Sequence, residues 1–211
     1  YREAYKTKPM TLREDFCGTF AVSCEWANSD KNRQAIGLDI CPETLAWGTE
    51  NNLGKLKAKV AERVAVLEQD VRSRTVPQVD VLAAQNFSFW CFKTRAEVVN
   101  YFKIACENLG EKGVMVMDMM GGKECYASDV TDKRTIIKGK EGFKYHWEQA
   151  YFNPVTADCS FFIHFKFGDG SMIRKAFEYH WRFWTIPEVR EMLAEAGFSI
   201  SKVYWDIADE D

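Results

Sequence analysis

Four polar residues fall where four successive predicted strands end, and their types suit the binding of a ligand. They are Asp15, Asp39, Asp70 and Asn86. The carboxyl ends of parallel strands meet at one edge of a sheet, which is where ligands bind in open α/β folds. Asp39 follows Gly18 by about 20 positions, the spacing at which a carboxylate can accept hydrogen bonds from both hydroxyls of a ribose. The pattern predicts a site for a nucleoside-bearing cofactor.

The elements that must position these residues alternate between strand and helix. The predicted order is strand 10–16, helix 20–28, strand 35–40, helix 43–56, strand 63–68, strand 80–84, helix 94–109 and strand 114–119. The turn Cys17-Gly18-Thr19 joins the first strand to the first helix. Strands that alternate with helices are typical of a parallel sheet. This part of the chain therefore predicts an α/β, Rossmann-like sheet.

Beyond Gly122 the pattern changes to strands alone. Residues 123–142 are charged and have no apolar face, so we predict a surface loop that covers the site. The later elements are predicted as strands 143–152, 159–167 and 172–184, a helix capped by Thr185, and a closing strand 198–205. The prediction is a single domain over 1–211, with a seven-stranded sheet and a small antiparallel β insertion after strand 5. Residues 143–184 form this insertion and the region of strand 6.

One hairpin register can be predicted from apolar matching. If Gly168-Asp169-Gly170 is a three-residue loop, Phe161 pairs with Phe177 and Phe165 with Ile173. This register sets His164 opposite Arg174, whereas a slip of one residue would reverse the face of every side chain.

Composition narrows the classes of function. The chain has 211 residues, of which 46% are hydrophobic, with a net charge of −3 and a pI of about 5.8. Acidic and basic residues are interspersed, which disfavours nucleic acid as a partner. No apolar run reaches the roughly 18–20 residues of a membrane span. The seven cysteines form no CxxC pair and the three histidines no short metal-binding spacing, so we predict reduced thiols, no metal and a cytoplasmic location.

The turn Asp15-Phe16-Cys17-Gly18-Thr19 and the later strand ends resemble the ordered motifs of class I S-adenosylmethionine-dependent methyltransferases. A narrower resemblance is to small bacterial-type members with an Asp-Phe-Cys-Gly-Thr motif and a late His-Phe-x-Phe-x-Asp-Gly segment, here residues 164–170. The chain departs from the usual Gly-x-Gly turn because Phe20 stands where the second glycine would be. The resemblance implies S-adenosylmethionine as cofactor, bound by Asp15, Cys17, Gly18, Thr19, Asp39, Ile40, Asp70, Val71 and Asn86.

The chemistry of these residues agrees with that cofactor. S-adenosylmethionine carries an ammonium and a sulfonium but no phosphate, so a carboxylate such as Asp15 suits it. The three-glycine fingerprint of nicotinamide dinucleotides is missing, which disfavours a nicotinamide-dependent reductase. Asp39 would accept hydrogen bonds from the ribose hydroxyls, and Asp70 would accept one from the adenine amine. Ile40 and Val71 would enclose the adenine ring. The simpler interpretation is that such residues are helix caps and turn formers, with Cys17 filling space.

The predicted reaction is methyl transfer to a nitrogen or oxygen of a small molecule. An amine is suggested by analogy, because methyltransferases acting on amino sugars and glycine carry antiparallel strands at this place. We expect the substrate between the ends of strands 4 and 5 and the insertion, oriented by Tyr151 and His164. Two alternatives stay open: the insertion forms a homodimer interface, or the protein is a non-catalytic S-adenosylmethionine-binding or scaffold protein.

Overall fold

The computed structural model describes residues 1–136 and 142–205, which divide into two compact units. The first unit comprises Tyr1–Ser88, Ala96–Asp118 and Pro187–Asp211, the last of these described as far as Trp205. The second comprises Phe89–Arg95 and Met119–Ile186. The prediction of a single domain over 1–211 stays a prediction.

The first unit alternates strands with helices, as predicted. Its strands are β1 (Thr11–Asp15), β2 (Gln34–Asp39), β3 (Val64–Glu68), β4 (Val79–Ala84) and β5 (Leu109–Met117). Its helices are α1 (Arg2–Tyr5), α2 (Ala21–Asn28), α3 (Pro42–Asn51), α4 (Ala58–Ala61), α5 (Arg95–Asn108) and α6 (Ile186–Ala196). A short 3-10 helix at Leu53–Lys55 takes the place of the last turn of the predicted helix 43–56.

The five strands form one parallel sheet in the order β3-β2-β1-β4-β5. β1 lies at the centre, with Asp15 opposite Leu38 of β2 on one side and Ala84 of β4 on the other. The strand order reverses direction between β1 and β4. In an open α/β sheet, that reversal leaves a crevice at the carboxyl ends of the two strands.

Helices cover both faces of this sheet. On one face, Leu12, Val81 and Ala83 form a buried cluster against Trp26 of α2. On the other face, Leu82 packs with Ala105 of α5. Successive residues of a strand point to opposite faces, so neighbouring residues at the end of β1 meet different helices.

The structure does not contain the predicted closing strand 198–205. Residues 198–205 form no strand, and the parallel sheet has five strands among the residues described. Phe198 packs against the cluster around Leu82, but Ile200 and Tyr204 are 77% and 79% exposed. The apolar alternation of this segment predicted a strand, yet a strand needs a partner that buries one face.

The second unit is a four-stranded antiparallel sheet in the order β6-β7-β8-β9. Its strands are β6 (Val130–Thr135), β7 (Phe143–Phe152), β8 (Asp158–Phe167) and β9 (Met172–Arg182). The prediction of a loop over 123–142 is wrong for β6, an edge strand that pairs with β7. All six β6 residues are exposed, so no apolar face marked it in the sequence. Residues 137–141 of the predicted loop lie outside the described residues.

The β8–β9 hairpin turns as predicted, but its register changes after two pairs, Lys166 with Met172 and Phe165 with Ile173. Gly170 has φ 89°, and Phe165 lies opposite Ile173. A β-bulge then places three β9 residues, Arg174 to Ala176, opposite His164, with Lys175 at φ 50°. Phe161 consequently pairs with Tyr179, and the predicted pairing with Phe177 is wrong. A bulge inserts residues without an apolar signal, so alternation alone could not locate it.

Phe20, the residue that departs from the glycine-rich turn, is accommodated inside the core. It has φ 44°, is fully buried and packs with Cys17, Cys24 and Leu45. Gly48 of α3 makes room for it: a Cβ there would lie 2.6 Å from both Phe20 Cε1 and the Thr19 carbonyl oxygen. A glycine missing from the turn is thus matched by a glycine in the facing helix.

Gly48→Ala tests this packing. We expect a net loss of about 2 kcal/mol in the free energy of unfolding: overpacking against a backbone carbonyl costs up to about 3 kcal/mol, whereas the helix propensity of alanine returns about 1 kcal/mol. Gly110→Ala is the control, because a Cβ there meets only the Val79 carbonyl oxygen at 3.8 Å. Urea denaturation of the two variants gives the comparison, and equal stabilities would contradict the packing argument.

Candidate functional site

Left-handed backbone conformations gather where the strand order reverses. After β1, Phe16, Gly18 and Phe20 have φ of 55°, 53° and 44°. After β4, Asn86 and Phe87 have φ of 59° and 55°. Non-glycine residues rarely adopt this conformation, and such strain concentrates at functional sites. Two neighbouring strand ends with this property mark the candidate site.

Asp39, at the end of β2, connects two of the segments around this site. Its Oδ2 accepts a hydrogen bond from the Gly18 N–H at 2.8 Å, and its Oδ1 accepts one from the Cys41 N–H at 3.0 Å. The carboxylate therefore fixes the turn after β1 relative to the start of α3. A carboxylate has about four acceptor positions, so Asp39 can still accept two hydrogen bonds from a ligand.

The turn itself is held from both sides. The Cys17 N–H donates to the Leu38 carbonyl oxygen at 2.9 Å, and Asn52 Nδ2 donates to the Thr19 carbonyl oxygen at 2.8 Å. Burial, together with the charges of Glu14 and Asp39, raises the pKa of the Cys17 thiol well above its ordinary value. Cys17 is therefore a protonated packing residue at neutral pH, which agrees with the simpler interpretation of it.

Asp15 has a different setting from the one the sequence suggested. It is 1% exposed, and its Oδ1 accepts from Arg13 Nε at 2.7 Å while its Oδ2 accepts from the Tyr101 hydroxyl at 3.0 Å. Burial raises the pKa of Asp15 to about 6, against the opposing effect of Arg13 and Tyr101. The protein's own donors thus occupy this carboxylate, and direct contact of Asp15 with a cofactor ammonium stays a prediction.

Glu14 is a site residue that the sequence analysis missed. Its Oε2 accepts from the Ser23 N–H at 2.8 Å and from the Ser23 hydroxyl at 2.5 Å, which attaches α2 to the end of β1. Burial raises the pKa of Glu14, against the hydrogen bonds from Ser23. Strand alternation in the sequence could have identified it. Because Glu14 and Asp15 are neighbours in a strand, their side chains face opposite sides of the sheet, so one of them meets α2.

The predicted adenine-binding residues differ in exposure. Ile40 is 70% exposed directly after Asp39, whereas Val71 is 4% exposed and its carbonyl oxygen accepts from Arg13. Asp70 is bound by Arg72 through Nη2 at 2.6 Å and Nε at 2.9 Å, and these hydrogen bonds lower its pKa. Ile40 and Asp70 are accessible to a ligand, whereas Val71 is buried, and the role of all three in binding adenine stays a prediction.

The end of β4 presents polar groups beside the turn after β1. Asn86 is exposed, and the Phe87 N–H donates to Asp118 Oδ1 at 3.2 Å, which links the ends of β4 and β5. The first unit therefore brings Gly18, Asp39 and Asn86 to the carboxyl edge of adjacent strands, as predicted from their spacing. Their binding role stays a prediction.

In the second unit, His164 and Tyr151 share the polar face of the antiparallel sheet. His164 Nε2 lies 2.7 Å from Glu148 Oε2, and the Lys175 N–H donates to His164 Nδ1 at 3.0 Å. Because Nδ1 accepts, the ring proton is on Nε2 and is donated to the carboxylate. Both ring nitrogens of His164 are thus used within the sheet. Tyr151 is 49% exposed and lies opposite Ser160, so it is the better placed of the two to meet a ligand.

Among the described residues, the possible metal ligands, the thiols and the apolar helices form no further site. No group of three or more His, Cys, Asp or Glu side chains there could hold a metal ion. All seven cysteines are free thiols. Within residues 1–136 and 142–205, no helix combines the length and the apolar character needed to span a membrane.

Comparison with known proteins finds similarity to several methyltransferases. No family model matches the chain. Putative methyltransferase YqeM of Bacillus subtilis (strain 168) is 25% identical over 201 residues, which cover 92% of this chain and 76% of that protein. S-adenosylmethionine-bound CalS10 from Micromonospora echinaspora, an amino pentose methyltransferase involved in calicheamicin biosynthesis, has a TM-score of 0.71 at 16% identity, covering 93% and 78% of the two chains.

A third match is the sugar N-methyltransferase KedS8 from Streptoalloteichus sp ATCC 53650, with a TM-score of 0.68 at 15% identity, covering 93% of this chain and 74% of that one. These likenesses confirm the predicted fold class, a parallel α/β sheet accompanied by an antiparallel sheet, as seen in S-adenosylmethionine-dependent methyltransferases. The subgroup motif at Asp15–Thr19 stays a prediction.

Tyr101→Phe tests the setting of Asp15 through its pH dependence. The pKa of about 6 in the folded protein lies above the ordinary value of 3.8, so the stability contributed by this carboxyl is complete below pH 3.8 and is lost as the pH rises through 6. Without the Tyr101 hydroxyl the carboxylate loses a donor, at a cost of about 1–3 kcal/mol where it is ionised. The destabilisation should therefore be larger at pH 8 than at pH 5.

Denaturant unfolding at the two pH values measures this difference. Tyr126→Phe is the control, since that ring is about half exposed and makes edge contacts with Phe152 and Phe183. A destabilisation by Tyr101→Phe that is the same at pH 5 and pH 8 would show that the hydroxyl does not serve an ionised Asp15.

Proposed function

We propose that this protein is an S-adenosylmethionine-dependent methyltransferase that methylates a small molecule at a nucleophilic nitrogen. The observation that carries the proposal is the setting of Asp39. This partly exposed carboxylate lies at the end of β2, accepts one backbone N–H at each oxygen and keeps acceptor capacity for two more hydrogen bonds. The relationship to YqeM and the fold of CalS10 support the same class of reaction.

The residues present fit this cofactor better than a dinucleotide. Asp39 has acceptor positions for two ribose hydroxyls, and the exposed Ile40 offers an apolar contact for an adenine ring. The turn after β1 points Phe20 into the core, so the bulky residue does not occupy the ligand side of the turn. A pyrophosphate at this strand end would instead lie close to the carboxylate of Asp39, which would repel it.

When bound, S-adenosylmethionine supplies a methyl carbon that is activated by the adjacent sulfonium. The chain's contribution is to bind and orient, because in-line displacement at such a carbon depends mainly on positioning and on exclusion of water. Asp39 and the turn after β1 hold the nucleoside, and the strained residues Asn86 and Phe87 line the neighbouring strand end. The acceptor nitrogen must be unprotonated to attack, so transfer should become faster as the pH rises toward the pKa of the acceptor amine.

An amine is proposed as the acceptor for two reasons. CalS10 is an amino pentose methyltransferase and KedS8 a sugar N-methyltransferase, and both share the fold of this chain. The half-exposed Tyr151, in a row with Ser160 and His180, offers hydroxyl and imidazole groups that could hydrogen-bond an amine or a sugar hydroxyl.

Asp39→Asn tests the binding of the cofactor. Asparagine keeps the size of the side chain but removes the charge and one acceptor oxygen, so we expect the affinity for S-adenosylhomocysteine to fall at least about tenfold, as for the loss of a charge-assisted hydrogen bond. Glu43→Gln is the matched control, because Glu43 is an exposed acid in the first turn of α3. Calorimetry gives both dissociation constants, and an unchanged value for a folded Asp39→Asn would place the ribose elsewhere.

Methyl transfer tests the function itself. The protein should transfer a labelled methyl group from S-adenosylmethionine to an amine in a panel of amino sugars and other small amines, with formation of S-adenosylhomocysteine. Asp39→Asn, assayed at the same cofactor concentration, should lose most of this product. Cofactor binding without product formation on any acceptor would favour a non-catalytic binding protein, whereas binding of NAD alone would exclude the cofactor.

A further inference from the structure

The two units carry charges of opposite sign. In the first unit, 16 Lys and Arg residues stand against 23 Asp and Glu. In the second unit, 12 Lys and Arg stand against 8 Asp and Glu. The net charge of −3 conceals this division. A local excess of positive charge in an acidic protein indicates an anionic ligand for that part of the chain.

Part of this excess lies on one face of the antiparallel sheet. Lys133 of β6 lies opposite His146 of β7, which lies opposite His164 of β8. In the next row, Lys144 of β7 lies directly opposite Lys166 of β8. Residues directly opposite one another in an antiparallel sheet share a face, and every second residue of a strand does so too. We call Lys133, Lys144, His146 and Lys166 the lysine face.

The lysines of this face have no acidic partner among residues 1–136 and 142–205. None of the three forms an ion pair in the described part of the chain, although all three are exposed. Glu148 is on the same face, but its carboxylate accepts from His164. Asp132 is on the opposite face and pairs with Arg134 at 2.6 Å. Like charges directly opposite each other destabilise a sheet, so the stability of the fold does not explain the pair Lys144 and Lys166.

The pKa of His146 depends on the positive charges of the lysine face. Burial lowers its pKa, and the charges of Lys133, Lys166 and Lys144 lower it further. Its Nε2 has no hydrogen-bond partner in the described part of the chain, so no direct bond masks the effect of its surroundings. The groups that face it are the three lysines, His164 on β8 and Glu148 on its own strand. An anion held by the lysines would oppose their repulsion.

We propose that the lysine face binds the phosphate or diphosphate group of a small molecule. Lysine ammonium groups bind phosphate oxygens as point charges. The three lysines occupy two adjacent cross-strand rows, an area that suits one or two phosphate groups. The net negative charge of the whole protein disfavours a long polyanion such as nucleic acid. The proposal does not depend on methyl transfer, because binding can be measured without cofactor or acceptor.

The test compares two triple variants of the full chain. Lys133→Gln, Lys144→Gln and Lys166→Gln together remove the charge of the lysine face. The control, Lys55→Gln, Lys57→Gln and Lys59→Gln, removes the same charge from exposed lysines of the first unit. Calorimetry at low ionic strength with inorganic pyrophosphate should show an affinity at least about tenfold weaker in the first variant, since three charge-assisted contacts are lost. The control should stay within about twofold of the wild type.

Nuclear magnetic resonance of the histidine rings gives an independent readout. The chain has three histidines, so three ring signals are followed. Saturating pyrophosphate should raise the pKa of His146 in the wild type and in the control, and should leave it unchanged in the lysine-face variant. Thermal unfolding should give the lysine-face variant a Tm no lower than that of the wild type, because a repulsive pair has been removed. The single variants Lys144→Gln and Lys166→Gln serve if the triple variant does not fold.

Three outcomes would overturn the proposal. The first is an equal loss of pyrophosphate affinity in both triple variants, which would mean a response to total charge. The second is an unchanged pKa of His146 on saturation in the wild type. The third is a binding free energy per phosphate that is larger for a single-stranded RNA than for pyrophosphate. That result would make a nucleic acid the ligand.

Discussion

The buried ion pair between Arg13 and Asp15 is the interaction on which the candidate site depends. Both side chains are fully buried, and the guanidinium also donates to the backbone of Val71 and Ser73, while Tyr101 of α5 donates to the carboxylate. Charges removed from water in this way are costly unless every polar atom has a partner, and loss of one member leaves the other uncompensated. These contacts join the end of β1 to the segment after β3 and to helix α5. That arrangement fixes where the turn after β1 begins.

The strained turn after β1 is stabilised by the side chains that pack around it. Phe20 occupies a left-handed conformation that glycine would adopt more easily, but its ring lies against Gly48 and its Cβ lies beside Gly37, where neither glycine has a side chain to obstruct it. Burial of an aromatic ring stabilises the fold by more than the backbone strain costs. Asp39 then binds the Gly18 N–H from the other side. The turn is consequently rigid before any ligand arrives, which reduces the entropy lost on binding.

The antiparallel sheet has two faces with different chemistry. One face is aromatic: Trp147 stacks on Phe161 at 5.0 Å, and Tyr179 lies 4.4 Å from Trp181 between ring centroids. The other carries the lysines, three histidines and Tyr151. Strand alternation keeps these sets apart, and the bulge at Lys175 allows a backbone N–H to reach His164. Aromatic packing on one face stabilises the sheet and thereby offsets the repulsion between the lysines on the other face.

The sequence by itself determined the elements of the parallel sheet, the strand ends at Asp15 and Asp39, and the hairpin at Gly170, because hydrophobic period and turn chemistry are local properties. The tertiary structure alone decided which carboxylate is accessible: Asp15 and Asp39 occupy similar positions in the pattern, but only Asp15 meets the hydroxyl of Tyr101 from a distant helix, in addition to Arg13 on its own strand. The tertiary structure also made β6 a strand, because the six exposed residues of β6 have no apolar pattern and are held in a strand by pairing with β7. The opposition of Lys144 and Lys166 depends likewise on the register between strands, which is a non-local property that no single segment encodes.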